Sequence, residues 1–346
     1  MGHVTDFVKE RISTDKLTLA NYVSTENMKS DFGGINPAIS IPNNTNVIHY
    51  KKGDVLLSNI RPYLRKVWAA NSDGGCSTDV FVFRAKSISP SFLHYIMAND
   101  TFINYVMSGS KGVKMPRGDK EQMLKYVFSI PRIEEQYKIS RLLHLLDDRI
   151  ATQNKIIDKL QSLIKGINCK IFALIQGNEY RLGDIATITN GNSNVQDASV
   201  EYRVGLYPFF DRSEDVKYLP TFLFDKESII YPGEGTEFMP RYYNGKFALH
   251  QRCYAICDFN EAVNPQFLYF FLKTQNSYFI RNAVGSTVPS LRLDTFQKLK
   301  VVIPSKETQY SVYSFLSTLE QKLDVENSIM KMLLCQKRYL LRQMFI

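Results

Sequence analysis

The sequence predicts an α+β fold with a pseudo-two-fold repeat: two globular parts separated by two long helices that pair as an antiparallel intramolecular coiled coil. Three observations predict it. Residues 130–160, IPRIEEQYKISRLLHLLDDRIATQNKIIDKL, align without a gap on residues 303–333, IPSKETQYSVYSFLSTLEQKLDVENSIMKML, 173 positions later. Both stretches carry apolar residues at a 4-3 spacing, the mark of a coiled-coil seam. What precedes each reads as short strands between turns, closed by a helix that opens on proline.

In chain order, VTDFV (4–8) in the first half matches LGDIA (182–186) in the second. Apolar runs at GDVLLS (53–58) and DVFVFRA (79–85), and later at ESIIYP (227–232) and CYAICDF (253–259), predict strands. PSFLHYIMAND (90–100) predicts a short helix opened by Pro90, and PQFLYFFLKTQ (265–275) answers it with Pro265. MPRGDKEQMLKYVFSIP (115–131) then corresponds to VPSLRLDTFQKLKVVIP (288–304).

From Glu134 to Phe172 there is no proline and one glycine, so one helix of 39 residues is expected, about 58 Å long at 1.5 Å per residue. Its seam is Ile139, Leu143, Leu146, Ile150, Gln153, Ile157, Leu160, Ile164, Ile167 and Ile171. The second seam runs Val312, Leu316, Leu319, Leu323, Glu326, Met330 and Leu333, and Lys337 interrupts it before Leu340 and Met344. Lys337 suggests that the last turns fray or meet a partner. Gln153 and Glu326 occupy the same seam position, where a polar pair either fixes register or is simply tolerated. The expected divisions are a globular part at 1–130, a helix at 131–176, a second globular part at 177–303 and a second helix at 304–346.

Composition narrows the function. A chain of 346 residues with 44% apolar and 12% aromatic residues can build real cores. It has no apolar run of the roughly 18–20 residues a membrane span needs, and its opening MGHVTDFVKERISTDKL mixes acids with bases, unlike a targeting segment. A cytoplasmic location is expected. Five scattered cysteines point to reduced thiols rather than disulfides. Cys253 and Cys257 lack a second pair nearby, so packing is a better account of them than zinc. The net charge of +9 tilts the chain toward a polyanionic partner without proving one.

Catalytic motifs are missing. NPQF (264–267) superficially approaches an adenine methyltransferase loop, but its repeat counterpart is SPSF (89–92) and no glycine-rich cofactor turn accompanies either. Asp211, Asp215 and Lys217 in PFFDRSEDVK (208–217) offer nuclease-like residues in a crowded turn, where a solvated loop is the better reading. GEGTEF (233–238) lacks the lysine of a phosphate-binding loop, and five histidines show no ligand spacing. No cofactor or metal is expected in this chain.

What recurs instead is arginine, lysine and tyrosine beside strand ends. SNIRPYLRK (58–66) presents Arg61, Tyr63, Arg65 and Lys66, and SKGVKMPRGDK (110–120) presents Lys111, Lys114 and Arg117. The second half offers Arg241, Tyr242, Tyr243 and Lys246 in MPRYYNGK (239–246), then Arg252, then Thr287 and Arg292 in STVPSLR (286–292). Arginine can bridge guanine edges, lysine neutralises phosphate, and tyrosine adds flat contact and a hydroxyl. Each cluster alone is an ordinary solvated surface. Their recurrence at similar points in both halves raises the odds that they contact nucleic acid.

Together, the two-fold repeat, SGSKGVKMPRGDKEQMLKYVFSIP, VGSTVPSLRLDTFQKLKVVIP and the Glu-x-Gln helix starts EEQYKI and ETQYSV resemble the specificity subunit of a Type I restriction-modification enzyme. The resemblance covers nearly the whole chain. It implies that each globular part is a target recognition domain reading one part of a bipartite DNA site, while the paired helices at 134–172 and 307–345 set an unread spacer. It further implies that two modification subunits, which carry S-adenosylmethionine and methylate adenine, dock on those helices, and that restriction subunits can join them. No catalytic residues are implied for this chain. MPRGD departs from the polar turn represented by STVPSLR, which puts equal roles for the two turns in question. The alternative from another class is a coiled-coil adaptor that binds protein and not DNA.

Overall fold

The computed structural model describes residues 1–345. Its contacts divide the chain into two units, Met1–Asn154 with the chain from Ile329 onward, and Lys155–Ser328. Each unit takes part of both long helices.

In the first unit one antiparallel sheet has the strand order Thr5–Phe7, Val80–Ala85, Val55–Ser58, Val67–Ala69. Val55, Leu56 and Leu57 are fully buried, which accounts for an apolar run with no polar alternation. A second sheet joins Arg11–Ser13, Asn46–Tyr50, Gly74–Cys76 and Tyr22–Val23. Helix Pro90–Met97 follows an extended Ser89 with proline in its first turn, and helix Asp100–Ser108 is capped by the Asn99 side chain, which accepts from the Thr101 N–H at 3.0 Å. Phe92, Leu93, Phe102 and Ile103 from these helices close the core over Val55, Leu57 and Phe83.

The second unit repeats this plan with a larger sheet, ordered Thr187–Asn190, Cys253–Cys257, Phe224–Pro232, Arg241–Leu249, Tyr207–Phe210, Lys217–Leu219. Helix Pro265–Lys273 covers it, with Phe267, Leu268 and Leu272 buried against Ile229, Tyr231 and Ile256. The opening match predicted between VTDFV and LGDIA shifts. Leu182–Ile185 is a helical turn, and Thr187–Asn190 holds the place of Thr5–Phe7, since Phe7 pairs with Phe83 and Ile188 with Ile256. The chemical likeness of the two segments hid a displacement of three residues.

The long helices are Ile133–Leu174 and Lys306–Met344. Within the first unit they run antiparallel: Leu143 and Leu341 share a cluster with Tyr95, and one turn further Asp147 pairs with Lys337 at 2.6 Å. Lys337 therefore does not end the helix. It neutralises Asp147, which also accepts from the Tyr95 hydroxyl at 2.9 Å, and the helix continues to Met344. In the second unit Phe172 near the end of the first helix and Val312 and Tyr313 near the start of the second pack on the same core.

The glutamine of each Glu-x-Gln start is a buried clamp. Gln136 Oε1 accepts from the Ser89 N–H at 2.8 Å while its Nε2 donates to the Pro131 carbonyl at 2.9 Å. Gln309 repeats both bonds with the Asn264 N–H at 2.7 Å and the Pro304 carbonyl at 2.9 Å, and adds the Ala262 carbonyl at 2.9 Å. Each long helix is thereby tied to the loop that opens its proline-started helix. No helix among the described residues is long and apolar enough to cross a membrane.

Candidate nucleic-acid interface

Both units build the same two-part surface from backbone. In the first, the loop 59–66 after strand Val55–Ser58 is latched to the turn 111–118: the Arg61 N–H donates to the Pro116 carbonyl at 2.8 Å, and the Gly118 N–H to the Asn59 carbonyl at 3.2 Å. Lys111 and Arg117 close the turn with reciprocal bonds of 3.0 and 2.9 Å. In the second, the loop 233–240 after strand Phe224–Pro232 meets the turn 284–291. The Gly235 N–H donates to the Pro289 carbonyl at 3.0 Å, the Leu291 N–H to the Gly233 carbonyl at 2.8 Å, and Val284 and Ser290 exchange bonds of 2.8 and 2.9 Å. Gly112 at φ +96° and Gly285 at φ +113° supply the left-handed residue each turn requires. The unlike sequences MPRGD and STVPSLR thus adopt one backbone geometry.

The side chains on these frames differ. On the first, Arg61, Tyr63, Lys111, Lys114 and Arg117 are exposed or half-exposed. Arg117 reaches Asp79 at 3.4 Å and Lys111 reaches Asp119 at 3.1 Å. Asp119 also caps the next helix, and hydrogen bonds from the Gln122 N–H and from Lys111 hold its carboxyl below the ordinary value. Arg61 and Arg65 both sit at positive φ, 51° and 55°, in a loop turned tightly by Pro62. Arg65 and Lys66 turn to other partners: Arg65 to Asp31 at 3.3 Å and Asp100 at 3.2 Å, Lys66 to the Thr25 carbonyl at 2.6 Å.

On the second frame, Thr287 and Arg292 are exposed on and just after the turn, and Arg252 pairs with Glu234 of the hairpin loop at 2.6 Å. Arg241 is half-buried and donates to the Ser213 carbonyl. Tyr242 is packed on the second core with its hydroxyl held by Glu227 and Gln266, and Tyr243 lies between Phe210 and Phe247. Lys246 sits 4.8 Å over the Phe222 ring. The structure therefore gathers Arg61, Tyr63, Lys111, Lys114 and Arg117 around one latch and Arg252, Thr287 and Arg292 around the other, and uses Arg65, Lys66, Arg241, Tyr242, Tyr243 and Lys246 in packing, ion pairs and bonds to backbone carbonyls.

Residue-type reasoning overlooked Asp79 and Glu234, the carboxylates that orient the arginines. Asp79 and Arg252 are equivalent, each preceding the strand that begins Val80 or Cys253, so the charge is inverted between halves. Carrying the repeat alignment through the strands would have found this.

Asp211 corrects the expectation of a solvated loop. It is buried, paired with Lys217 at 2.6 Å, and hydrogen-bonded to Ser213. Burial pushes its carboxyl up, but Lys217 and Ser213 outweigh that and hold it below the ordinary value. Cys253 and Cys257 are buried thiols pushed up to about 11 by that burial. Among the described residues no group of histidines, cysteines or carboxylates is placed to hold a metal.

Residues 9–162 and 177–333 each match the Type I restriction modification DNA specificity domain. The chain is 30% identical over 138 residues, 40% of its length and 30% of the relative's, to the Type I restriction enzyme EcoDI specificity subunit of Escherichia coli. It is 21% identical over 290 residues, 72% of its length and 65% of the relative's, to the MjaVIII specificity subunit of Methanocaldococcus jannaschii. The chain thus spans less than two thirds of the length of either curated relative. Its fold is similar to a crystal structure of a Type I restriction-modification S subunit from M. genitalium, with TM-score 0.66, 17% identity, and coverage of 100% of this chain and 94% of that one. It is also similar to a chain from a structure describing complex assembly and conformational transition of the type I R-M system, with TM-score 0.61, 17% identity, and coverage of 99% and 95%.

Proposed function

The chain belongs to the Type I restriction modification DNA specificity domain family, and from that premise we propose that it is a non-catalytic DNA-reading subunit in which each unit reads one part of a bipartite duplex site. The observation that carries this reading is the repeated loop-and-turn latch. Two frames with the same latching hydrogen bonds and different polar side chains suit the reading of two different half-sites, because backbone sets the approach and side chains set the sequence read. The recognition domains are 1–130 and 177–303, and the segments 131–176 and 304–346, which carry the helices Ile133–Leu174 and Lys306–Met344, set the spacer between the half-sites. Arg61, Lys111, Lys114 and Arg117 face DNA in one domain and Arg252, Thr287 and Arg292 in the other. Tyr63 and Lys246 flank these sets, and Arg65, Lys66, Arg241, Tyr242 and Tyr243 hold the loops in place.

Two modification subunits supply S-adenosylmethionine and adenine methylation, with restriction subunits as further partners in the cytoplasm. The support for a docking site on each long helix is a repeated exposed apolar pair, Tyr137 with Leu142 and Tyr310 with Phe315, each 45–64% exposed. Arg61→Glu with Arg117→Glu, and separately Arg252→Glu with Arg292→Glu, should each weaken binding of the reconstituted complex to its duplex site at least about tenfold. Normal binding by both folded variants would remove the interface assignment. A gel shift that never appears, with or without the modification subunit, would leave the coiled-coil adaptor as the better reading.

A further inference from the structure

The first unit contains a cleft of about 750 Å³ whose walls include Ala69, His94 and Ser140. The corresponding space in the second unit is filled. Ala69 pairs with Val55 and Tyr242 with Ile229, while Val55 and Ile229 face Phe83 and Ile256 on the next strand, so Tyr242 stands where the first unit has alanine. His94 and Tyr269 each lie four residues beyond the proline that opens their helix. Ser140 and Tyr313 each lie three residues beyond the repeated Tyr137 and Tyr310. Three tyrosines thus occupy positions that are alanine, histidine and serine in the first unit. All three pack on the second core, and the rings of Tyr242 and Tyr269 are 5.9 Å apart. The tyrosine hydroxyl there is satisfied by Glu227 and Gln266.

The wall of the open cleft carries the half-buried imidazole of His94. His94 Nδ1 is buried with no hydrogen-bond partner among the described residues. Burial lowers this imidazole to about 4, so it is neutral near pH 7 and one ring nitrogen can accept. Tyr137, 59% exposed, stands at the rim and belongs to the apolar face already assigned to docking.

We propose that this cleft receives a phenolic side chain, a tyrosine presented by the modification subunit docked along the first long helix, whose hydroxyl hydrogen-bonds the accessible edge of the His94 imidazole. The inference rests on the docking reading above. The chemistry of the occupant comes from this chain itself, which fills the duplicate of the cleft with tyrosine and gives the hydroxyl a partner. It follows that the two docked subunits are inequivalent: one inserts an anchor and the other meets a surface already closed.

The test begins with the isolated full chain and 4-methylphenol, the tyrosine side-chain analogue, titrated by calorimetry or ligand-observed NMR. Saturable binding of one equivalent is expected, with toluene about tenfold weaker for want of the hydroxyl. Ala69→Tyr and Ser140→Tyr, each copying the second unit, should abolish it while the circular dichroism spectrum holds. Lack of saturable binding, or undiminished binding in both filled variants, overturns the pocket, and equal affinity for toluene overturns the role of His94. In assembly titrations Ala69→Tyr should weaken one of the two modification-subunit binding steps about tenfold, and unchanged assembly of the folded variant overturns the proposed occupant. If the native chain fails to assemble at all, the docking reading fails, while the methylphenol result still decides the pocket.

Discussion

Gln136 and Gln309 show how a single residue can write the same instruction twice. Each lies buried at a helix start and spends its amide on backbone groups that would otherwise be unsatisfied. Gln309→Ala removes three such bonds and strands the Asn264 N–H, so it should cost the second unit about 2–3 kcal/mol in urea unfolding. A loss below a few tenths would mean that water replaces the clamp. His94 gives the first unit a pH dependence. Its folded value of about 4 lies below the ordinary 6.5, so between those values the unfolded chain binds the proton that the folded chain refuses. Stability is therefore fully present above about pH 6.5 and falls as the pH drops toward 4, by at most about 3 kcal/mol. Asp147 lies nearby and favours the charged form, while Lys337 and His144 oppose it. His94→Phe should flatten this acid-side slope in pH-dependent unfolding, and a slope identical to that of the native chain would assign it to other groups.

At the scale of elements, the apolar strands, the proline-opened helices and the long seams were legible because each follows from local periodicity. The latch was not. It joins residues 55 or so positions apart in sequence through backbone bonds such as Arg61 to Pro116, which no side-chain pattern encodes, and the unlike turn sequences concealed that both use the same glycine and proline. The tyrosines of MPRYYNGK were legible as residues but not as contacts, since strand pairing with Ile229 and Ser228 decides which face each occupies. Lys337 likewise looks like a defect in the seam until Asp147 is placed opposite. Gln153 and Glu326 are both buried, and Glu326 accepts from Lys322 at 2.6 Å. We expect the double change Gln153→Leu and Glu326→Leu to leave circular dichroism unchanged while relaxing the spacer length that the complex accepts, measured as affinity for duplexes with one base pair added or removed. An unchanged spacer preference would make the polar pair a tolerated feature rather than a register device.

The whole molecule is a duplicated plan whose halves have diverged in their exposed side chains and stayed alike in the bonds that hold each half together. The clamp glutamines, the opening prolines and the turn geometry are shared, whereas the exposed cations and the walls of the first-unit cleft are not. A net charge of +9 supplies sequence-independent attraction to a polyanion, and in the proposed reading the two latched frames add discrimination on top of it. The most direct test of two readers in one chain is selection of randomised duplex DNA by the complex reconstituted with modification subunits, followed by sequencing. Two short specified blocks separated by a fixed, unspecified spacer are predicted, with Arg61→Glu and Arg117→Glu erasing one block and Arg252→Glu and Arg292→Glu erasing the other. A single contiguous block, or the same block lost in both variants, would contradict the account.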